Sequence, residues 1–195
     1  MSECNCTQNS NPGTIEVITG CMFCGKSEEL IRRLNRAKIA KYSVVAFKAD
    51  IDNRYNADKV TSHTQNTFEA INVPINEPWK ILGHAYPQYA PTKTVIGIDE
   101  GQFFDTKLVS VCEDLAERGY SVIIAGLDMD YRGIPFGPIP ALLAIADRVD
   151  KLTAICTECG QPATRTQRLS ESQDLIQVGS SDRYTARCRK HWSIL

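Results

Sequence analysis

Gly20-Cys21-Met22-Phe23-Cys24-Gly25-Lys26-Ser27 is the stretch on which the fold turns. Two glycines with four residues between them, then a lysine and a hydroxyl residue, make the pattern of a phosphate-binding loop. Gly20 and Gly25 free the backbone for a tight turn in which successive N–H groups converge on an anion. Lys26 would set its ammonium on the outer phosphates, and the Ser27 hydroxyl would join the coordination of Mg²⁺. The flanks supply the setting such a loop requires. Thr14 to Thr19 reads as a short β-rich strand. Leu30, Ile31, Leu34 and Ala37 then share one helical stripe, with Arg32, Arg33, Arg36 and Lys38 mostly opposite. An ordinary glycine-rich turn, the competing reading, gives no reason for strand and helix to frame it. The helix start adds its dipole to the pull on negative charge. Its basic face reads as solvated rather than as a nucleic-acid patch.

Thr94-Val95-Ile96-Gly97-Ile98-Asp99-Glu100 is the second informative stretch. A continuous apolar run ending in two acids is what a buried parallel strand looks like when it delivers carboxylates to its carboxyl edge. The phosphate loop leaves its own strand at that same edge. One carboxylate there suits Mg²⁺ shared with Ser27, which leaves the other for proton transfer. An Asp-Glu pair capping the next helix is the alternative.

Between and beyond these stretches the chain alternates. Ser43 to Lys48 reads as a strand. Ala49 to Thr67 is polar and holds Asp52-Asn53-Arg54-Tyr55, where Arg54 is either a phosphate contact or an exposed arginine without a role. His63 and His84 have no partner at ligand spacing. Val73 to Pro91 is rich in proline and aromatic residues, with a short helix near Trp79 to Leu82. Leu108, Val111, Cys112, Leu115 and Ala116 mark an amphipathic helix that stops at Gly119. Ser121 to Ala125 is another buried strand, running into Gly126-Leu127-Asp128. Pro135-Phe136-Gly137-Pro138 then leads to a short helix from Ala141 to Ala146. Such alternation predicts right-handed crossovers and a doubly wound, mainly parallel sheet.

Composition changes near the end. Cys156-x₂-Cys159 and Cys188-x₂-His191 are two ligand pairs separated by 28 residues. Three thiolates and one imidazole suit a closed, structural Zn²⁺ site. Gln161 to Arg187, between the pairs, shows no strong period. The 195 residues and 43% apolar content allow one main domain with a small appendage. A net charge of −1 argues against a general polyanion binder, so no nucleic-acid partner is expected. Nothing approaches the roughly 20 apolar residues of a membrane span, and the polar start, 1–12, has no signal-peptide core. A cytoplasmic protein is therefore expected, its eight cysteines thiols or metal ligands rather than disulfides. Cys4-Asn5-Cys6 in that polar tail is better read as inert than as a metal pair.

Together these stretches resemble the thymidine kinases of the zinc-containing, cellular and poxviral type. The likeness runs from about Gly13 to His191. It is carried by the phosphate loop continuing into Glu29-Leu30-Ile31-Arg32-Arg33, by Asp52-Asn53-Arg54-Tyr55 and by Ile98-Asp99-Glu100-Gly101-Gln102-Phe103-Phe104. It continues through Ala125-Gly126-Leu127-Asp128, Pro135-Phe136-Gly137, Lys151-Leu152-Thr153-Ala154 and the Cys/His pairs. The resemblance implies an α/β, RecA-like phosphate-loop core at 13–150 and a small zinc-ribbon domain at 151–195 that carries a lasso loop. It also implies a homotetramer that passes phosphate from Mg²⁺-ATP to the 5′-hydroxyl of thymidine, and also of deoxyuridine, with dTTP as feedback inhibitor.

By the same resemblance Glu100 is the general base, Ser27 and Asp99 are the Mg²⁺ partners, and Lys26 and Arg54 stabilise charge on the transferring phosphoryl group. Met22, Phe103, Leu127, Tyr131 and Phe136 match residues packed around the thymine, and Thr166 one near its methyl. Tyr184 matches a tyrosine near the sugar, and the backbone of Leu175-Ile176-Gln177-Val178-Gly179 the part of the lasso that reads the base edge. Cys156, Cys159, Cys188 and His191 match the zinc ligands. The chain departs from the family at Cys21 and Cys24, where small or hydroxyl residues are common, with serine usual at the second place. A thiol at a helix start is open to oxidation. His191 replaces the fourth cysteine of animal and poxviral relatives, as in many bacterial ones, and Tyr131 replaces a usual phenylalanine. Competing readings are a kinase for another nucleoside, a zinc-ribbon ATPase acting on nucleic acid, and a silent nucleotide-binding scaffold.

Overall fold

The computed structural model describes residues 12–51, 59–61, 67–86, 88–169 and 183–194. Its elements run β1 (Thr14–Thr19), α1 (Lys26–Ile39), β2 (Ser43–Asp50), β3 (Lys59–Thr61), β4 (Thr67–Glu69), β5 (Ile71–Pro74) and α2 (Lys80–Ala85). They continue β6 (Thr94–Asp99), α3 (Leu108–Glu117), β7 (Ser121–Gly126), α4 (Ile139–Ile145) and β8 (Arg148–Lys151). Four short strands follow: β9 (Ala154–Ile155), β10 (Pro162–Ala163), β11 (Arg165–Arg168) and β12 (Tyr184–Arg187).

Six strands form one sheet in the order β5-β2-β6-β7-β1-β8, and each neighbouring pair is parallel. Alternation along the central strands divides two cores. Ile15, Val17, Ile96, Ile98, Val122 and Ile124 face α2, α3 and α4, which contribute Ile81, Leu108, Val111, Leu115, Ile139 and Leu142. Ile18, Ala46, Val95, Ile123 and Ala125 face α1 through Leu30, Ile31 and Leu34, with Val60 and Phe68 of the β3–β4 pair beside them. Gly97 lies on the α1 face, where a β-carbon would stand 2.8 Å from the Leu34 side chain. The glycine lets the helix sit close on the sheet. The six parallel strands end at one edge, so β1 delivers the loop at Gly20, β6 the acids at Asp99, and β7 the Leu127 backbone to a common crevice.

The mainly parallel α/β sheet of the sequence reading is present, with several differences. Helix α4 begins at Ile139 rather than Ala141. Prolines at 138 and 140 are tolerated in a first turn because they lack only N–H groups that would have no helical partner. The helix near Trp79 runs from Lys80 to Ala85. The polar segment after β2 carries β3 and β4, and the sheet gains β5 and β8 at its edges, strands too short and too half-exposed to show a period. Gln161 to Arg187, read as aperiodic, contains β10, β11 and β12.

Arg33 binds α1 to the sheet. Its guanidinium meets Glu29 at 2.8 Å, Glu16 of β1 at 2.5 Å and Asp150 of β8 at 2.7 Å, with only 10% of the side chain exposed. Bonds from Arg32 and then Arg33 hold the Glu29 carboxyl down at about 2, and Arg33 lowers Asp150 as well. Both folded-state values lie below the unfolded ones, so this stabilisation is present above about pH 4 and fades as pH falls through the folded values. Arg33→Met should therefore lower stability by about 1–3 kcal/mol at pH 7, and the loss should shrink at pH 3.5. Urea midpoints at both pH values measure it; an equal loss at each would count against the network.

Candidate active site and metal cluster

The phosphate loop is shaped by left-handed backbone at three places, Gly20 (φ 139°), Phe23 (φ 66°) and Gly25 (φ 86°). At Gly20 a β-carbon would meet the Leu152 carbonyl at 2.4 Å and Cys24 Sγ at 2.8 Å, so only glycine fits. Lys26 opens α1, and its Nζ donates to the Cys21 carbonyl at 2.9 Å, curling the side chain back over the loop. Thr19 Oγ1 donates to the Gly126 carbonyl at 2.9 Å and locks the end of β1 to β7.

Ser27 Oγ stands 3.2 Å and 3.3 Å from the two Asp99 carboxylate oxygens and donates to that group. Asp99 is 4% exposed. Its burial, followed by the neighbouring Glu100 charge, pushes its carboxyl up to about 7. A buried carboxylate and a hydroxyl, both hard oxygen donors, fit Mg²⁺, whose charge would reverse that rise. Lys48 of β2 pairs with Asp99 in register and opposes the rise too.

Glu100 follows in left-handed conformation, φ 54°. This turns the chain sharply where strand ends and helical turn begins. Its Oε2 accepts a 2.5 Å bond from Gln102 Nε2, while Gln102 Oε1 accepts from the Leu127 N–H at 2.9 Å. With its oxygen committed to that N–H, the buried amide can only donate toward Glu100. The sequence alone gives Gln102 no role, because its two-sided bonding arises only when β6 and β7 lie side by side.

The residues matched to a base-binding site fall into contacting groups. Phe103 and Phe136 meet edge to face, centroids 5.6 Å apart. The Met22 N–H donates to Thr166 Oγ1 at 3.1 Å. Tyr131 and Tyr184 are joined by Arg168, whose guanidinium lies 3.6 Å from the Tyr131 ring centroid and donates to the Tyr184 hydroxyl at 2.8 Å. Trp192 Nε1 donates toward the carbonyls of Tyr131 and Thr166, at 3.3 Å and 3.2 Å. Arg168 and Trp192 were missed from sequence, because a lone arginine and a lone tryptophan carry no spacing signal. Arg54 and Leu175 to Gly179 lie outside the described residues, as do Cys4, Cys6 and His63.

The four ligand atoms of Cys156, Cys159, Cys188 and His191 all lie within 4.8 Å of one another. Cys159 and Cys188 sulfurs are 3.8 Å apart, and His191 Nδ1 is 3.3 Å from Cys188 and 3.8 Å from Cys156. These three edges, 3.3–3.8 Å, lie near the roughly 3.5–3.8 Å of a tetrahedron with zinc bond lengths. Burial raises the Cys156 thiol, but N–H groups of Cys188, Glu158 and Cys159 outweigh it and hold it at about 5, in thiolate form. The donor set fits Zn²⁺. The same unit is fastened to the phosphate loop. Cys21 packs with Ala154, Cys156, Ala163 and Ala186, and its thiol donates to the Ala163 carbonyl at 3.3 Å.

Comparison with known proteins agrees with this geometry. A family model described as thymidine kinase matches residues 13–192. A thymidine kinase of Bdellovibrio bacteriovorus is 48% identical over 181 residues, 92% of this chain and 85% of the relative. Among solved structures, the flagellar accessory protein FlaH of Methanocaldococcus jannaschii superposes with a TM-score of 0.51 at 13% identity, over 77% of this chain and 75% of that one. That likeness concerns the fold alone.

Asp99 predicts a pH effect of definite sign. Its folded value is raised above the unfolded one, so the Asp99 contribution to stability is fullest below about pH 4 and is lost as pH rises toward 7. In Mg²⁺-free buffer Asp99→Asn should melt several degrees above wild type at pH 8, and the gain should narrow at pH 5. A gap that does not change with pH in thermal melts would contradict the burial argument.

Proposed function

The chain belongs to the thymidine kinase family, and from that membership we propose that it transfers the γ-phosphoryl group of ATP to the 5′-hydroxyl of thymidine, and also of deoxyuridine. The observation that carries this reading is the Ser27–Asp99 contact, which sets a buried acid beside the phosphate loop with Glu100 next in the chain. Loop N–H groups and Lys26 would hold the phosphates, Lys26 leaving the Cys21 carbonyl to do so, and Arg54 would join them from outside the described residues. Ser27 and Asp99 would hold Mg²⁺, which when bound supplies charge neutralisation between the outer phosphates. Glu100 would take the proton of the 5′-hydroxyl. Its orientation by Gln102 leaves Oε1 for that bond, so positioning and electrostatics carry the transfer.

The base would lie among Met22, Phe103, Leu127, Tyr131, Phe136 and Thr166, with Tyr184 at the sugar. Leu175 to Gly179 would read the base edge through the backbone. A single methyl in such surroundings is worth about 1–3 kcal/mol, so thymidine should be favoured only modestly over deoxyuridine. The ribbon at 151–195 would hold structural Zn²⁺ between Cys156, Cys159, Cys188 and His191 and keep Thr166, Arg168 and Tyr184 in place beside the 13–150 core, whose sheet runs to Lys151. A homotetrameric, cytoplasmic enzyme with dTTP as feedback inhibitor completes the proposal.

Glu100→Gln should lower kcat by roughly 10²–10⁴ while nucleotide affinity stays within a few-fold. Steady-state assays with thymidine and labelled ATP, beside binding of a fluorescent ATP analogue, separate the two; a fall smaller than tenfold would reject Glu100 as base. Cys156→Ser should reduce bound zinc by elemental analysis and raise the thymidine KM more than the ATP KM. Full zinc content in that variant would contradict the ligand assignment.

A further inference from the structure

The thiols of Cys21 and Cys24 have no part in the proposed transfer, which uses the loop's N–H groups and Lys26. Cys156, Cys159 and Cys188 belong to the metal cluster, and Cys112 is sealed in the core of α3. Among the described residues that leaves Cys21 and Cys24 as a separate Cys-x₂-Cys pair folded around the turn at Met22-Phe23. Both are unoxidised thiols, and Cys24 packs against the small cluster in which Cys21 is buried. The two are unlike. Cys21 is 2% exposed and hydrogen-bonded to the ribbon at Ala163. Cys24 is half-buried, at the start of α1, with its sulfur 3.9 Å from Lys26 Nζ. The Lys26 ammonium beside the sulfur and the helix N-terminus just ahead of it favour thiolate at Cys24. One reactive thiol beside one shielded thiol is the arrangement of an attacking and a resolving cysteine.

We propose that Cys21 and Cys24 form a reversible oxidation site for hydrogen peroxide that closes the phosphate loop as a disulfide. The inference rests on the reading of Gly20 to Ser27 as the cradle for the ATP phosphates. Cys24 thiolate attacks one peroxide oxygen, the O–O bond breaks, and the departing hydroxide takes a proton to leave as water. The product is Cys24 sulfenic acid. Cys21 sulfur, giving up its proton, then attacks Cys24 Sγ; the S–O bond breaks and a second water leaves. Two electrons pass from the two thiols to peroxide, and one S–S bond is formed. A dithiol reductant reverses the step by thiol–disulfide exchange.

Two consequences follow from the contacts. The Cys21 S–H is consumed, so its bond to the Ala163 carbonyl is lost; with Met22 N–H to Thr166, that bond ties the loop to the ribbon. Drawing the sulfurs to about 2.05 Å also pulls in the turn whose N–H groups must face the phosphates. A displacement of about 1 Å at such a site costs roughly 10² in rate.

The test uses the full-length, zinc-loaded chain, reduced, desalted and exposed to a few equivalents of hydrogen peroxide. Each sample is compared with its own reduced control. Wild type should lose about tenfold or more in thymidine phosphorylation and in affinity for a fluorescent ATP analogue. It should yield a Cys21–Cys24-linked peptide two hydrogens lighter by mass spectrometry, release no zinc to a colorimetric chelator, and recover with dithiothreitol. Cys24→Ser should keep its own reduced rate under the same exposure. Cys21→Ala should instead trap Cys24 as a sulfenic acid that dimedone labels. Absence of the linked peptide, or its formation without loss of activity, would overturn the proposal. So would inactivation of Cys24→Ser as fast as wild type with zinc release, which would place the chemistry in the metal cluster. A reduced wild type that binds nucleotide and forms the linked peptide yet phosphorylates no thymidine would sink the functional reading and leave the oxidation site standing.

Discussion

The Ser27 hydroxyl rests on a carboxylate that the fold has taken out of water. Asp99 ends a strand buried along its whole length, and its ionised form is disfavoured by that burial and by Glu100 beside it. A buried, unneutralised acid is a net cost to folding unless something cationic arrives. The parallel sheet creates this position. With β6 in the centre, neighbouring strands cover its backbone and helices cover both faces, while its carboxyl end opens on the edge where β1 releases the phosphate loop. The strain that makes a site is therefore local, and the two cores on either side of the sheet support it.

The second constraint is mechanical. The phosphate loop is braced from below by Thr19 of β1, bonded to Gly126 of β7, and from the side by β10 and β11, through Cys21 to Ala163 and Met22 to Thr166. The small apolar cluster of Cys21, Ala154, Cys156, Ala163 and Ala186 makes the Cys/His cluster and the loop neighbours rather than separate devices. Such short strands could not hold their geometry by area alone. Two ladders of two and four residue pairs bury little, which is why four converging ligand atoms within 4.8 Å matter to them. The tie also explains how a change in either unit reaches the other without a long path.

Charge is arranged with the same economy. Lys26 folds onto a carbonyl of its own loop, Arg33 serves three carboxylates, and Arg168 lies between two tyrosines. Each arginine joins elements far apart in the chain. Arg33 read from sequence only as part of a solvated helix face, although its side chain is 10% exposed, and Arg168 had no signal beyond being an arginine.

Local patterns were enough to locate the loop at Gly20–Ser27, the buried strand ending in Asp99-Glu100, the amphipathic helices and the two Cys/His pairs, because spacing and period report what neighbouring residues do to one another. The short strands β3 to β5 and β8 to β12 left no such trace, since two to four residues are too few to show a period. The partners of Glu100, Tyr131 and Met22 were equally silent: Gln102 is held by Leu127 across two strands, Arg168 reaches Tyr131 from another unit, and Thr166 meets the loop from 144 residues away. Chemistry set by consecutive residues was determined in the chain itself; chemistry set by which distant atoms share a hydrogen bond was decided only by tertiary packing.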